Sequence, residues 1–360
     1  MIRYLKNEEK IVLSLRSLYT KYGYMPYKMN KFEEYDLYAK NKDFLVSDGI
    51  ITFTDTNGKL LALKPDVTLS IIKNAADVKG VKNKMYYSEN VYRISGSTRE
   101  YKEIMQTGLE CIGDIDVYDT YEVITLAKKS LCEISTDYVV EISHMGVISA
   151  LLNSINDSAD FCKEVIECIG KKSTHEIKAI SNKYGVSEAN TKKLCDFVSI
   201  YGEPSSVIAK LEKMDVSCEF DACVSELKEI ATLLKGDSDY DKIRFDFSIV
   251  NDMRYYNSIV INGYINGVCE CVLYGGRYDK LLSKMGKNSS GIGFAIYTDL
   301  LASLNEKPSE YDVDTLLIYS ESTDAMVLKE KVDAIIDSGK TVTAQKSIPS
   351  KLRYREIIEI

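Results

Sequence analysis

Histidine is nearly missing from this 360-residue chain, which holds only His144 and His175. A tetrahedral zinc site or a Ser-His-Asp hydrolase therefore fits the composition poorly. The nine cysteines include no CxxC pair and no repeated framework, which predicts reduced thiols and a cytoplasmic location. No run of eighteen apolar residues occurs and no signal peptide opens the chain, so neither a membrane span nor a membrane partner is expected. The tract Gly291–Gly293 is too short for a phosphate-cradling P-loop, and no GxGxxG fingerprint is present; no cofactor is indicated. A net charge of −8 argues against a protein whose main task is gripping nucleic acid, and no nucleic-acid partner is expected.

What is present is ordinary globular composition, 45% hydrophobic and 28% charged, at a length that suits one large domain or two to three smaller ones. The opening "MIRYLKNEEKIVLSLRSLY" mixes charge with apolar residues at helical spacing and predicts an amphipathic first helix. Ile51–Thr54 and Leu60–Leu63 flank an Asp-Thr-Asn-Gly turn and predict a hairpin. Pro65 and Asp66 then start a helix running through Lys73. "KMYYSENVYRI" and "REYKEIMQTGLECIG" predict two strands around a polar loop, followed by a helix at Thr120–Cys132. "FDFSIVND" predicts a strand, and "YNSIVINGYI" with "VCECVLYGG" a hairpin turning on Asn266-Gly267. The segmentation is a core in two parts, 1–152 and 241–305, a helical insert over 153–240, and a βαβ-like tail over 306–360. Strands in hairpins with helices beside them give the α+β class with a mainly antiparallel sheet.

Several residues could carry a ligand. The strand Lys102–Gly113 alternates, with Gln106, Gly108 and Glu110 on one face and Met105, Thr107 and Leu109 on the other. Four residues of strand span roughly 13 Å at ~3.3 Å each. Gln106 and Glu110 thus bracket a gap floored by Gly108, about the size of a small zwitterion; a solvated strand face fits the same period. Asp66 and Thr68 in "LKPDVT" stand at the top of a helix, where a carboxylate ordinarily serves as a cap. Arg93 ends a strand on the face of Tyr87 and Val91; opposite a carboxylate-lined pocket it would hold a ligand carboxylate bidentately. Tyr255 and Tyr256 would put one ring on each side of their segment, and His144 reads as the cap of the helix it precedes.

Taken in order and spacing, "FEEYDLY", "FTDTNGKLLALKPDVT", "YYSENVYRI", "QTGLECIG", "NDMRYYNSIV", "YGGRYDKL" and "GIGFAIYTDLL" resemble the catalytic core of the histidyl-tRNA synthetase family over about residues 5–305. The resemblance implies a class II aminoacyl-tRNA synthetase-like antiparallel sheet with flanking helices, a helical insert and a short α/β C-terminal tail, dimerising through the first motif. It implies that Asp66 and Thr68 hold the α-amino group of histidine, that Arg93 and Gln106 hold its carboxylate, and that Glu110 accepts from the imidazole between Tyr255 and Tyr256. The departures fall where a synthetase handles ATP. Asn251 stands in place of an arginine, Ser95 in place of a glutamate, and Leu300 in place of the arginine that ends the third motif. Losing one preorganised charge partner costs on the order of 10²–10³ in rate, so no adenylation, and no catalytic residue, is expected. The stretch beyond residue 305 is also shorter than the domain with which these synthetases read the anticodon.

These departures resemble the regulatory subunit family of ATP phosphoribosyltransferase (HisZ), a paralogue of the synthetase core. That resemblance implies a non-catalytic, allosteric partner of the short-form catalytic subunit. Such a partner is required for the first step of histidine biosynthesis and takes part in histidine feedback inhibition. Histidine would bind either in the synthetase-like pocket or at the subunit interface. Two alternatives are a divergent histidyl-tRNA synthetase and a tRNA- or amino-acid-sensing module.

Overall fold

The computed structural model describes residues 6–45, 49–94, 99–250, 255–301, 304 and 310–360. They form two compact units, Met1–Leu304 and Asn305–Ile360. In the first, α1 (Asn7–Lys21) buries Ile11, Leu15 and Tyr19, the apolar stripe that its spacing predicts. Then come β1 (Met25–Pro26), β2 (Phe32–Glu34), α2 (Tyr35–Ala39), β3 (Thr52–Thr54) and β4 (Leu60–Leu63). The predicted hairpin is β3–β4, and Asp55 closes its turn by accepting the N–H groups of Asn57 and Lys59, both at 2.8 Å. Helix α3 (Thr68–Asn74) begins later than Pro65-Asp66. Asp66 stands outside it and accepts the N–H of Leu69 at 2.9 Å, which makes it a cap rather than a first-turn residue.

The long strands β5 (Asn83–Ile94) and β6 (Tyr101–Gly113) follow, then α4 (Val117–Ile134), β7 (Tyr138–His144) and α5 (Met145–Ile155). The next stretch is helical apart from β8 (Tyr201–Gly202): α6 (Ala159–Gly170), α7 (Thr174–Lys183), α8 (Glu188–Val198), α9 (Pro204–Leu211) and α10 (Cys218–Leu234). Ser173, Ser187, Glu203 and Ser217 each accept a first-turn N–H, which fixes where four of these helices begin. Then β9 (Ile243–Asp246), β10 (Ile259–Ile265), β11 (Leu273–Arg277), α11 (Asp279–Lys284) and β12 (Ser290–Tyr297) complete the unit.

Nine strands form one sheet in the order β1-β5-β6-β12-β11-β10-β7-β9-β8, antiparallel except at β1/β5 and β7/β9. A small antiparallel sheet, β2-β4-β3, lies beside it. One core joins the sheet to α1, α4, α5 and the helices between α6 and α10; another joins it to α3 and α11. With helices on both faces, β6 is buried on both from Gln106 to Gly113, so the solvated-face alternative does not hold. The β10–β11 hairpin turns on Asn266-Gly267 as expected: Val268 N–H closes the turn on the Ile265 carbonyl at 3.1 Å and Gly267 takes a φ of 91°. The chain then returns to β11 over 268–272, and Val272 N–H bonds the Gly263 carbonyl at 2.8 Å.

The second unit holds β13 (Val313–Ile318), α12 (Ala325–Asp337), β14 (Val342–Gln345) and β15 (Tyr354–Glu359). Its three strands are parallel in the order β14-β13-β15. The nine cysteines are free. Among the described residues no helix is long and apolar enough to cross a membrane.

Candidate functional site

Adjacent strands fix the floor of the site. Register pairs Tyr87 on β5 with Gly108 on β6, and Gly108 with Ala295 on β12. Gln106 likewise faces Tyr297, and Glu110 faces Gly293. Residues opposite one another share a face, so small side chains at Gly108, Gly293 and Ala295 leave space between larger ones. Tyr87 occupies part of it. A Cβ on Gly108 would lie 2.7 Å from the Tyr87 hydroxyl and 2.3 Å from the Phe294 carbonyl. The gap between Gln106 and Glu110 is therefore roofed by a tyrosine.

Above this floor lies a cavity of about 530 Å³, lined at its inner end by Asp66, Tyr87, Arg93, Gln106, Tyr255 and Tyr256. Of the candidates, Asp66, Arg93, Gln106, Tyr255 and Tyr256 meet at the wall, while Thr68 and Glu110 lie behind it. Arg93 donates from Nε to the Pro65 carbonyl and from Nη1 to the Tyr297 hydroxyl, both at 2.9 Å. These two bonds hold its guanidinium flat beside the cavity. Burial raises the Asp66 carboxyl, and the Leu69 N–H and Arg93 oppose that rise. Gln106 is 3% exposed and lines the cavity, where its amide is available to a polar ligand.

The wall is aromatic. The Tyr255 and Tyr256 rings are 4.8 Å apart, and Tyr255 lies 6.0 Å from Tyr278. Behind them Glu110, 2% exposed, accepts from Thr68 Oγ1 at 2.6 Å and from the Tyr278 hydroxyl at 2.5 Å. Burial pushes the Glu110 carboxyl up to about 8 in spite of these two donors.

The outer end of the cavity is lined by Lys102, Ile104, Glu270, Asp299 and Leu300. Burial holds the Asp299 carboxyl up, and Glu270 adds to the rise. A polyphosphate here would meet two carboxylates and a leucine beside Lys102. Ser95 and Asn251 lie outside the described residues.

Sequence reading missed Tyr87, Tyr274, Tyr278 and Tyr297 as parts of this site. A signal existed: "GIGFAIY" places Gly291, Gly293, Ala295 and Tyr297 at a period of two, a strand face of small residues ending in a tyrosine.

The family described as histidyl-tRNA synthetase matches the chain over residues 3–301. An ATP phosphoribosyltransferase regulatory subunit from Oceanobacillus iheyensis is 25% identical over 356 residues, covering 97% of this chain and 87% of that one. The chain is similar to a crystal structure of an "ATP phosphoribosyltransferase regulatory subunit/histidyl-tRNA synthetase" from Bacillus halodurans, with TM-score 0.81, 22% identity, and 98% and 93% of the two chains covered. It is also similar to a chain of the ATP phosphoribosyl transferase (HisG:HisZ) complex from Thermotoga maritima, with TM-score 0.64, 20% identity, and 81% and 97% covered.

Proposed function

This chain belongs to the histidyl-tRNA synthetase family, and from that membership we propose that it is a regulatory subunit of ATP phosphoribosyltransferase. In this reading it is a synthetase-like pseudoenzyme. It supports a short-form catalytic subunit in the first step of histidine biosynthesis, self-associates through its first motif, and lends the assembly sensitivity to histidine. The observation that carries the proposal is the contrast between the two ends of one cavity. The inner end has a carboxylate, a guanidinium and an amide, the set a zwitterion needs. The outer end sets Glu270, Asp299 and Leu300 beside Lys102, so carboxylates outnumber cations where a polyphosphate needs positive charge. Asp66 takes the ammonium group, Arg93 and Gln106 take the carboxylate, and Tyr255 and Tyr256 flank the imidazole. Glu110 stands behind, where its carboxyl fixes Thr68 and Tyr278.

The test is co-purification with a short-form catalytic subunit, assaying ATP and phosphoribosyl pyrophosphate condensation with each chain alone and together, with and without histidine. Activity is expected only in the assembly, with histidine lowering it. Full, histidine-sensitive activity of the catalytic subunit alone, or histidine-dependent pyrophosphate exchange by this chain, overturns the proposal.

A further inference from the structure

His144 is 2% exposed and is not part of the cavity wall, yet both its ring nitrogens are engaged. Nδ1 accepts the N–H of Val147 at 3.2 Å and caps α5. An accepting nitrogen carries no proton, so in the neutral ring the proton sits on Nε2. Nε2 lies 3.1 Å from Glu226 Oε2 on α10 and 3.2 Å from Ser258 Oγ, and that hydroxyl lies 3.4 Å from Glu226 Oε1. Serine, histidine and carboxylate meet here, but not as a nucleophile relay. A relay places serine and carboxylate on opposite ring nitrogens, whereas here both share Nε2 and the backbone takes Nδ1.

The three side chains come from three parts of the fold. Glu226 belongs to α10, His144 ends β7, and Ser258 is where the Tyr255–Tyr256 segment enters β10. The Ser258 carbonyl accepts the N–H of Met145 at 2.8 Å. Beside it, Asn257 donates its N–H to the Arg277 carbonyl at 3.0 Å and its amide to Asp279 at 3.2 Å. The segment is thus anchored immediately after the two tyrosines. Helix α10 also fits tightly: a Cβ on Gly146 would lie 2.8 Å from both Cys223 Sγ and His144 Cε1.

From this arrangement we propose that His144 is a positioning residue coupling α10 to the Tyr255–Tyr256 wall, so that displacement of α10 alters affinity for the amino acid in the cavity. The inference rests on the reading of the cavity as a histidine site. Directional hydrogen bonds suit the task because they are either made or broken, giving the coupling two discrete arrangements.

The test uses the full chain carrying His144→Asn, Glu226→Ala, or both. Asparagine keeps a side-chain oxygen to cap α5 but is too short to reach Glu226. Histidine affinity is measured by calorimetry, and amide exchange is followed over residues 255–260. Each single variant is expected to bind histidine roughly tenfold more weakly, the double variant no more weakly than either single, with faster exchange over 255–260. Unchanged affinity and exchange in all three overturns the coupling and leaves the histidine site standing. If the unmodified chain binds no histidine, the site reading fails, and exchange alone decides the coupling: faster supports it, unchanged overturns it.

Discussion

The Tyr278 hydroxyl donates to Oε2 of Glu110 across 2.5 Å, reaching from the junction of β11 and α11 into the middle of β6. Thr68 holds the other carboxyl oxygen from the head of α3. One carboxyl thus ties three elements together directly behind the cavity wall, and its protonation state bears on both stability and ligand binding.

The pH dependence follows from the sign of the shift. Burial raises Glu110 from 4.5 to about 8 in the folded chain. The folded state therefore holds a proton that the unfolded state releases, and the stability this group contributes is full below about 4.5 and lost as pH rises through about 8. The swing is on the order of a few kcal/mol. Glu110→Gln, neutral at every pH, is expected to flatten that fall. Urea unfolding of both proteins at pH 5 and pH 9 checks it, and parallel pH profiles would rule it out.

Glu110→Ala removes the acceptor of both hydroxyls and frees Thr68 and Tyr278. Histidine inhibition of the assembled phosphoribosyltransferase is expected to weaken by roughly tenfold or more, at ~1–3 kcal/mol per lost polar partner. Assembly, read by size exclusion, should be intact. Unchanged inhibition in the assembled variant would sink the role given to this carboxyl.

Arg93→Ala removes the donor to the Pro65 carbonyl and the Tyr297 hydroxyl and the cation whose field favours the Asp66 carboxylate. A loss of about 1–3 kcal/mol is expected, together with loss of histidine binding. Adding Asp66→Asn should recover part of the stability and none of the binding. Denaturation midpoints and calorimetry on the three variants separate the two effects.

Gly108→Ala places a methyl group 2.3 Å from the Phe294 carbonyl on the neighbouring strand. Backbone in the middle of a sheet cannot yield cheaply, so destabilisation of about 3 kcal/mol is expected. Tyr87 is pushed from its place over Gly108 as well, so histidine affinity should fall in whatever protein still folds. An unperturbed melting temperature would contradict this packing.

Much of the architecture was legible locally. The β3–β4 hairpin carries its own turn chemistry, and Asp55 closes it as its spacing to Gly58 suggests. Alternation in β6 placed Gln106 and Glu110 on one face, and Asp66 was legible as a cap. Alternation did not reveal that this face is roofed by Tyr87, because register between β5 and β6 is set by the whole sheet. The Asn266-Gly267 turn was legible as well, and Val268 N–H closes it on the Ile265 carbonyl; the irregular return over 268–272 was not, because no local pattern marks it.

The sequence by itself determined the order and spacing of the motifs that place this chain in its family. Those are properties of residue identity and spacing, which survive without coordinates. Only the tertiary structure decided that Glu110 stands behind the wall instead of in it, and that His144 joins α10 to the tyrosine segment. Each depends on groups more than forty residues apart meeting within hydrogen-bond reach. Such meetings are fixed by packing across the sheet, where the cost of an unpaired buried polar group selects among arrangements that local sequence leaves equivalent.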